Sequence, residues 1–194
     1  MFLREKEDRR SALLLSPEKS LLLIIDCQEK FTGAVAGMDE VGRRVAILVK
    51  AAARLGVPML VSEQYPRALG STLPEIKAVL PGAAPVFSKM SFSAFDVPEW
   101  VEAVRSFKRS QFILCGVESH VCVLQTAMDA LQNLDGLVYV VEDAVSSRQL
   151  SDKETALRRL ESQGIQCVTT EMTLFEWLRK AGTPEFKELQ ALIK

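Results

Sequence analysis

The amino-acid sequence predicts an α/β domain on a parallel, doubly wound sheet. Three features point there. Short apolar runs without polar alternation recur along the chain, as strands covered on both faces require. Between them lie stretches with apolar residues at helical spacing. The length of 194 residues suits one domain, large enough to bury about 70% of the unfolded chain's surface without a disulfide or structural metal. Strands alternating with helices imply right-handed crossovers and helices on both faces of the sheet.

Residues 1–18 read as an N-terminal arm, with a charged start, MFLREKEDRRS, and an ALLL segment able to pack on the domain or on a second subunit. The domain itself is expected over 19–194. Its first strand is the run Ser20-Leu-Leu-Leu-Ile-Ile-Asp26. A helix over Asp39–Leu55 follows, with Val41, Val45, Leu48, Val49 and Ala52 on one stripe and Gly56 as its stop. Further strands are expected at Pro58–Ser62, Gln111–Cys115, Leu137–Val141 and Gly164–Val168, with a shorter sixth at Pro85–Phe87. Val97–Phe107 and Val121–Asn133 have helical patterns. Ser151-Asp-Lys-Glu154 has the form of a capping box opening a helix over Thr155–Gln163, closed by Gly164. The tail predicts a terminal helix with Pro184 in its first turn.

Composition narrows the function classes. With 24 basic against 25 acidic residues, the chain offers no broad basic footprint for nucleic acid and no attraction to anionic membranes. Composition leaves a small-molecule or protein partner, with neither nucleic acid nor membrane, and the small-molecule substrate is the partner expected. No apolar segment approaches the roughly 20 residues of a membrane span, and the N-terminus lacks the apolar core of a secretory signal. The expected compartment is therefore the reducing cytoplasm. Four cysteines without CxxC spacing and a single histidine, His120, argue against a zinc cluster. No glycine-rich phosphate loop follows any strand, so neither metal nor cofactor is expected. Cys115 and Cys167 lie in strand-like runs and read as buried small hydrophobes.

In a doubly wound sheet, ligands bind outside the carboxyl ends of the strands, so the residues closing each strand are the candidates. Here they are Asp26 to Phe31, Ser62 to Pro66, Lys89 to Phe92, Gly116 to Cys122, and Glu142 to Ala144. Asp26, Lys89 and Cys122 thus converge on one edge. Cys122 falls in the first turn of a helix, where unpaired N–H groups and the positive helix end favour a thiolate. Its bland alternative is a core cysteine. Asp26, after five apolar residues, is either a turn cap or a desolvated base. Lys89 is either a surface lysine or the cation balancing that pair. His120 stands two residues from Cys122 around a helix start and is expected to point elsewhere. Gln28, Phe31, Tyr65 and Phe92 flank the strand ends as substrate-binding candidates.

These residues together resemble the isochorismatase-like cysteine hydrolase family, over nearly all of the chain after the arm. The resemblance rests on LLLIIDCQEKF, SEQYPRALGSTLPE, FSKMSFSAF, LCGVESHVCVLQTAMDA, VVEDAVSSR and the PEFKELQALIK tail. EQYP and LGxTxPE make it most similar to the isochorismatase domain-containing subgroup. The resemblance implies a three-layer α/β/α sandwich around a six-stranded parallel sheet. It also implies a catalytic triad of Asp26, Lys89 and Cys122, a cis Val117–Glu118 peptide, an oxyanion hole from the Glu118 and Cys122 amides, and a homo-oligomer. The Asp-x-His metal motif of nicotinamidases is replaced here by Ser62-Glu63-Gln64-Tyr65-Pro66. Isochorismatase proper cleaves a vinyl ether without the cysteine nucleophile.

The expected activity is therefore hydrolysis of a small amide, or a related C–N bond, through a cysteine thioester. The alternatives are a non-catalytic binding or scaffold protein on the same fold, and a vinyl-ether hydrolase like isochorismatase.

Overall fold

Strands β1 (Ser20–Ile25), β2 (Met59–Gln64), β3 (Val86–Lys89), β4 (Gln111–Val117), β5 (Leu137–Ser146) and β6 (Gln166–Val168) form one sheet in the order β3-β2-β1-β4-β5-β6. Every pairing in it is parallel. The computed structural model describes residues 14–194; residues 1–13 of the expected arm lie outside the described residues.

Alternation along the strands sorts the core into two layers. On β1, Leu22 and Ile24 point to one face, with α1 (Met38–Leu55), α5 (Thr170–Leu178) and α6 (Pro184–Gln190) packed there. Leu21, Leu23 and Ile25 point to the other, against α2 (Pro98–Ser106), α3 (Leu124–Asn133) and α4 (Leu150–Ser162). All six β1 residues are buried, which explains the unbroken apolar run. The result is the three-layer α/β/α sandwich, with six strands.

The stripe read on α1 is its buried face, and Gly56 ends the helix at φ 70 by donating to the Ala52 and Ala53 carbonyls. Thr183 caps α6 at the Phe186 N–H, with Pro184 at the first position. The last residues before the sheet also pack inward. Leu15 is fully buried, its N–H donates to Glu176 at 2.7 Å, and the Ser16 N–H donates to the Gln111 side chain at 2.9 Å.

Several element assignments differ from expectation: the helix expected from Val121 begins at Leu124 after a π turn, and β6 is confined to Gln166–Val168. The helix after β5 begins at Leu150 after Gln149, which makes no side-chain cap, so the Ser151 capping box is not formed. Helix α5 carries no clean stripe because apolar residues surround it; its usable signal was Thr169, which caps the Met172 N–H. Strand β3 continues to Lys89. Strand β5 continues to Ser146: pairing with β4 jumps from Leu114↔Val140 to Gly116↔Val145, so Val141–Ala144 make an excursion from β4, with Val141 still paired to Val168 of β6.

Gly116 sits at that irregularity with φ 117, and a Cβ there would meet the Ile25 carbonyl oxygen at 1.9 Å. Only glycine lets β4 approach β1 this closely. We expect Gly116→Ala to destabilise the domain by more than about 2 kcal/mol, read as a lowered thermal midpoint. Gly33, with open space around its Cβ position, is the control: there Gly→Ala meets no neighbour and pays only for its φ of 80.

Candidate active site

The strand order places the site. Chain order reverses between β1 and β4, the topological switch point where doubly wound sheets open a crevice. Asp26 follows β1 directly, and the Cys122 turn follows β4. Asp26 adopts φ 50, a left-handed conformation that aspartate tolerates better than most residues. Its backbone N–H donates to the Ser62 carbonyl at 3.1 Å, fixing the turn against β2.

The Asp26 side chain is fully buried and fully engaged. Oδ1 accepts from Ser62 Oγ at 2.7 Å, and Oδ2 accepts from Lys89 Nζ at 2.6 Å. Lys89, the last residue of β3, reaches past β2 to make that pair. Its ammonium also donates to Gln64 Oε1 at 2.7 Å, the Phe92 carbonyl at 3.0 Å and the Ser91 carbonyl at 3.2 Å. Both charges are thus removed from water yet satisfied.

Cys122 lies in a π turn, Ser119–Val123, that leads into α3. The Val117–Glu118 peptide before this turn is cis. The Glu118 carboxylate, nearly buried, accepts from the Arg148 backbone N–H at 2.8 Å and from Arg148 Nε at 3.2 Å. Cys122 opens onto a cavity of about 340 Å³ lined also by Lys30, Phe31, Ala34, Gln64, Leu69, Phe92, Glu118, Val121 and Arg148. Asp26 and Lys89 both act on the sulfur, in opposite directions. Burial first, and then the Asp26 carboxylate, push the thiol up to about 12, against a smaller lowering by Lys89.

That value corrects the expectation of a resting thiolate. The helix end and a nearby cation do not outweigh desolvation, because Lys89 is neutralised by its own bond to Asp26. Two of the substrate-binding candidates are also displaced. Gln28 is fully buried, its amide donating to the Gln64 and Gly70 carbonyls and accepting from the Gln64 N–H, so it braces the loops. Tyr65 is 45% exposed at φ 35 and lies outside the cavity lining. Phe31 and Phe92 do line it.

His120 faces away, with Nδ1 2.9 Å from Ser147 Oγ and Nε2 3.9 Å from Asp152. Cys115 is buried as read, whereas Cys167 is only partly so; all four thiols are free. Sequence reasoning missed Ser62 and Gln64 as partners of the ion pair, although both fall in the strand end it had singled out. It also missed Lys30, Leu69, Val121 and Arg148 as cavity residues. Arg148 was out of reach because β5 was expected to stop before its excursion.

Comparison with known proteins places this geometry in a class. The model of the isochorismatase domain matches residues 20–172. A Caenorhabditis elegans structure described as MAR1 ribonuclease superposes with a TM-score of 0.87 at 38% identity, covering 93% of this chain and 92% of that one. A Pyrococcus horikoshii pyrazinamidase in complex with zinc superposes at 0.65 with 26% identity, covering 78% and 99%. The fold is that of the isochorismatase-like hydrolases.

The mouse isochorismatase domain-containing protein 2A is 40% identical over 187 residues, 96% of this chain and 88% of its own. A secreted isochorismatase effector, Isc1, of Phytophthora sojae is 40% identical over 93% of this chain and 87% of its own. The chain belongs to the isochorismatase domain family. The zinc of the pyrazinamidase has no counterpart donor set here: no three His, Cys, Asp or Glu side chains among the described residues are grouped to hold a metal. No helix among them is long and apolar enough to cross a membrane.

Two outcomes follow from the buried groups. Lys89→Met strands the buried Asp26 carboxylate, and removing one partner of such a pair costs about 3–5 kcal/mol, measurable by denaturant unfolding. The second concerns the thiols, whose proton affinities burial raises throughout. The folded state therefore holds protons that the unfolded chain releases near about pH 8.5. This contribution is complete below that pH and is lost as pH climbs through the folded-state values. The thermal midpoint should fall between about pH 9 and 11, and less steeply in Cys115→Ala.

Proposed function

We propose that this protein is a cysteine hydrolase that cleaves a small amide, or a related C–N bond, through a thioester. One observation carries the reading: a buried, fully hydrogen-bonded Asp26–Lys89 pair acts on the Cys122 sulfur at the switch-point crevice. The amidase name of the Pyrococcus relative supports the same bond class.

The resting thiol is neutral, so Asp26 takes the Cys122 proton as the sulfur attacks the substrate carbonyl carbon. A C–S bond forms, and the carbonyl electron pair moves to oxygen. In this reading the Glu118 and Cys122 amides hold that oxyanion, where the loss of one donor typically costs about 10²–10³ in rate. Collapse re-forms the carbonyl and breaks the C–N bond, and Asp26 passes its proton to the departing nitrogen. Asp26 then takes a proton from water as its oxygen attacks the thioester. The C–S bond breaks, the proton returns to sulfur, and a carboxylic acid leaves. Lys89 keeps Asp26 oriented through these steps by their 2.6 Å bond.

The Caenorhabditis relative's name raises a nuclease reading, which this site favours less. Phosphodiester cleavage needs a free cation at the reacting end of the cavity, and the cation that acts on the Cys122 sulfur is Lys89. Lys89 is 4% exposed and already faces four acceptors. Four unpaired thiols suit a reducing compartment, so cytoplasm remains the proposed location.

Cys122→Ala should abolish amide turnover, and Asp26→Asn should lower kcat by about 10²–10⁴. Rapid-quench mass spectrometry with an activated amide should find the acyl group on Cys122. Turnover that persists in Cys122→Ala would sink the thioester route and return the vinyl-ether reading to the front.

A further inference from the structure

We propose that the outer face of α5 docks a second copy of this chain, antiparallel, about a two-fold axis at Phe175. The surface is separate from the hydrolase site, since none of its residues lines the Cys122 cavity. It borders a groove of about 500 Å³ whose lining includes Leu14, Met172 and Phe175, with the charged Glu171, Glu176 and Arg179. Met172 is 46% exposed and Phe175 38%. Three residues apart on one helix, they stand side by side. The exposed Leu131, Leu137 and Leu150 lie on three different elements, as scattered surface apolar residues do. Phe175 is also braced from behind, its ring centroid 6.3 Å from that of Phe186 on α6. An apolar ridge held in this way suits a partner surface.

The charges select the partner. Glu171 lies in the first turn of α5, and Arg179 follows its last residue. With Phe175 between them they recur every fourth residue, on one face. At about 1.5 Å per residue they stand about 12 Å apart, too far to pair within one chain. Glu171 is exposed and has no hydrogen-bond or ion-pair partner among the described residues. Arg179 spends one amino group on the Leu14 and Leu15 carbonyls, which leaves Nε and Nη1 open. Glu176 is already engaged by the Leu15 N–H.

An antiparallel copy crossing at Phe175 sets Glu171 level with Arg179 of the partner subunit, and does so twice. A parallel copy would set acid against acid. The two-fold contact closes on itself, so it makes a dimer and not a chain of molecules. Met172 and Phe175 supply the attraction, while the two ion pairs fix direction and register. A contact built on one nine-residue helix lies at the low end of interface sizes, so it should separate on dilution.

Sedimentation velocity on the full chain, over a dilution series, tests the surface. Native protein should pass reversibly between an assembly and its halves. Glu171→Arg sets arginine against arginine at both crossings, and Arg179→Glu sets acid against acid. Each variant alone should raise the dissociation constant about tenfold or more. An equimolar mixture of the two should reassemble, because opposite charges then meet at both crossings. Arg179 also holds the Leu14 and Leu15 carbonyls, so Phe175→Lys is the variant that leaves that clamp intact. It places two lysines on the axis and should weaken association as strongly. Circular dichroism matching the native spectrum establishes that each variant is folded. Native protein that stays monomeric at every concentration would overturn the proposal. So would an assembly that Glu171→Arg and Phe175→Lys leave at full mass, since association would then use another face. Folded single variants that fail to reassemble on mixing would overturn the pairing of Glu171 with Arg179.

Discussion

The ion pair between Asp26 and Lys89 is the constraint on which the rest of the site depends. Taking two charges out of water costs several kcal/mol for each ion, and mutual attraction offsets this only with good geometry and full hydrogen bonding. Here both conditions are met from several parts of the chain at once. Ser62 satisfies one carboxylate oxygen and Lys89 the other, while the ammonium draws in Gln64 and two carbonyls of the segment after β3. One of those carbonyls belongs to Phe92, whose side chain forms a cavity wall. The charge pair and the shape of the cavity are therefore held by the same bonds.

Topology explains why such a pair is available. The order β3-β2-β1-β4-β5-β6 stacks the carboxyl ends of β3, β2 and β1 side by side, so a lysine ending β3 can span to an aspartate following β1. On the other side of the switch point, β4 leads into the Cys122 turn through a register shift against β5 between Leu114 and Gly116. Gly116 permits the close approach to Ile25, and the excursion in β5 lets that strand rejoin β4 beyond it. The rejoined segment then delivers Ser147 to His120 and Arg148 to Glu118. The turn bearing the sulfur is braced from behind by residues that no local pattern connects with it.

This contrast accounts for what was legible in the sequence. Strand positions could be read because fully buried parallel strands need unbroken apolar runs, as in Leu21–Ile25. Asp26, Lys89 and Cys122 could be read because one rule, that ligands gather at strand ends, selects them without coordinates. Features set by tertiary competition could not. The Ser151 box matched a capping pattern, yet the helix begins at Leu150 after Gln149, which leaves Ser151 inside it. Gln28 looked like a pocket residue because it flanks a strand end, but its amide matches the backbone of two neighbouring loops and is spent on them. Its distance along the chain from the pocket was right; its direction was decided by unpaired backbone groups that need a partner.

The protonated thiol follows from the same economy of charge. A thiolate beside a lysine is stabilised only by whatever field the lysine has left, and this lysine is already matched by a carboxylate at 2.6 Å. Desolvation then dominates, and the sulfur keeps its proton at rest. A site arranged this way has one net negative charge fewer than a thiolate site would have, which lowers the cost of burying it. In the proposed reaction Asp26 is the base of the first step, so the nucleophile is created only when a carbonyl is present to receive it. The neutral thiol is thus first a consequence of burial, and the ion pair leaves no free positive charge to offset it.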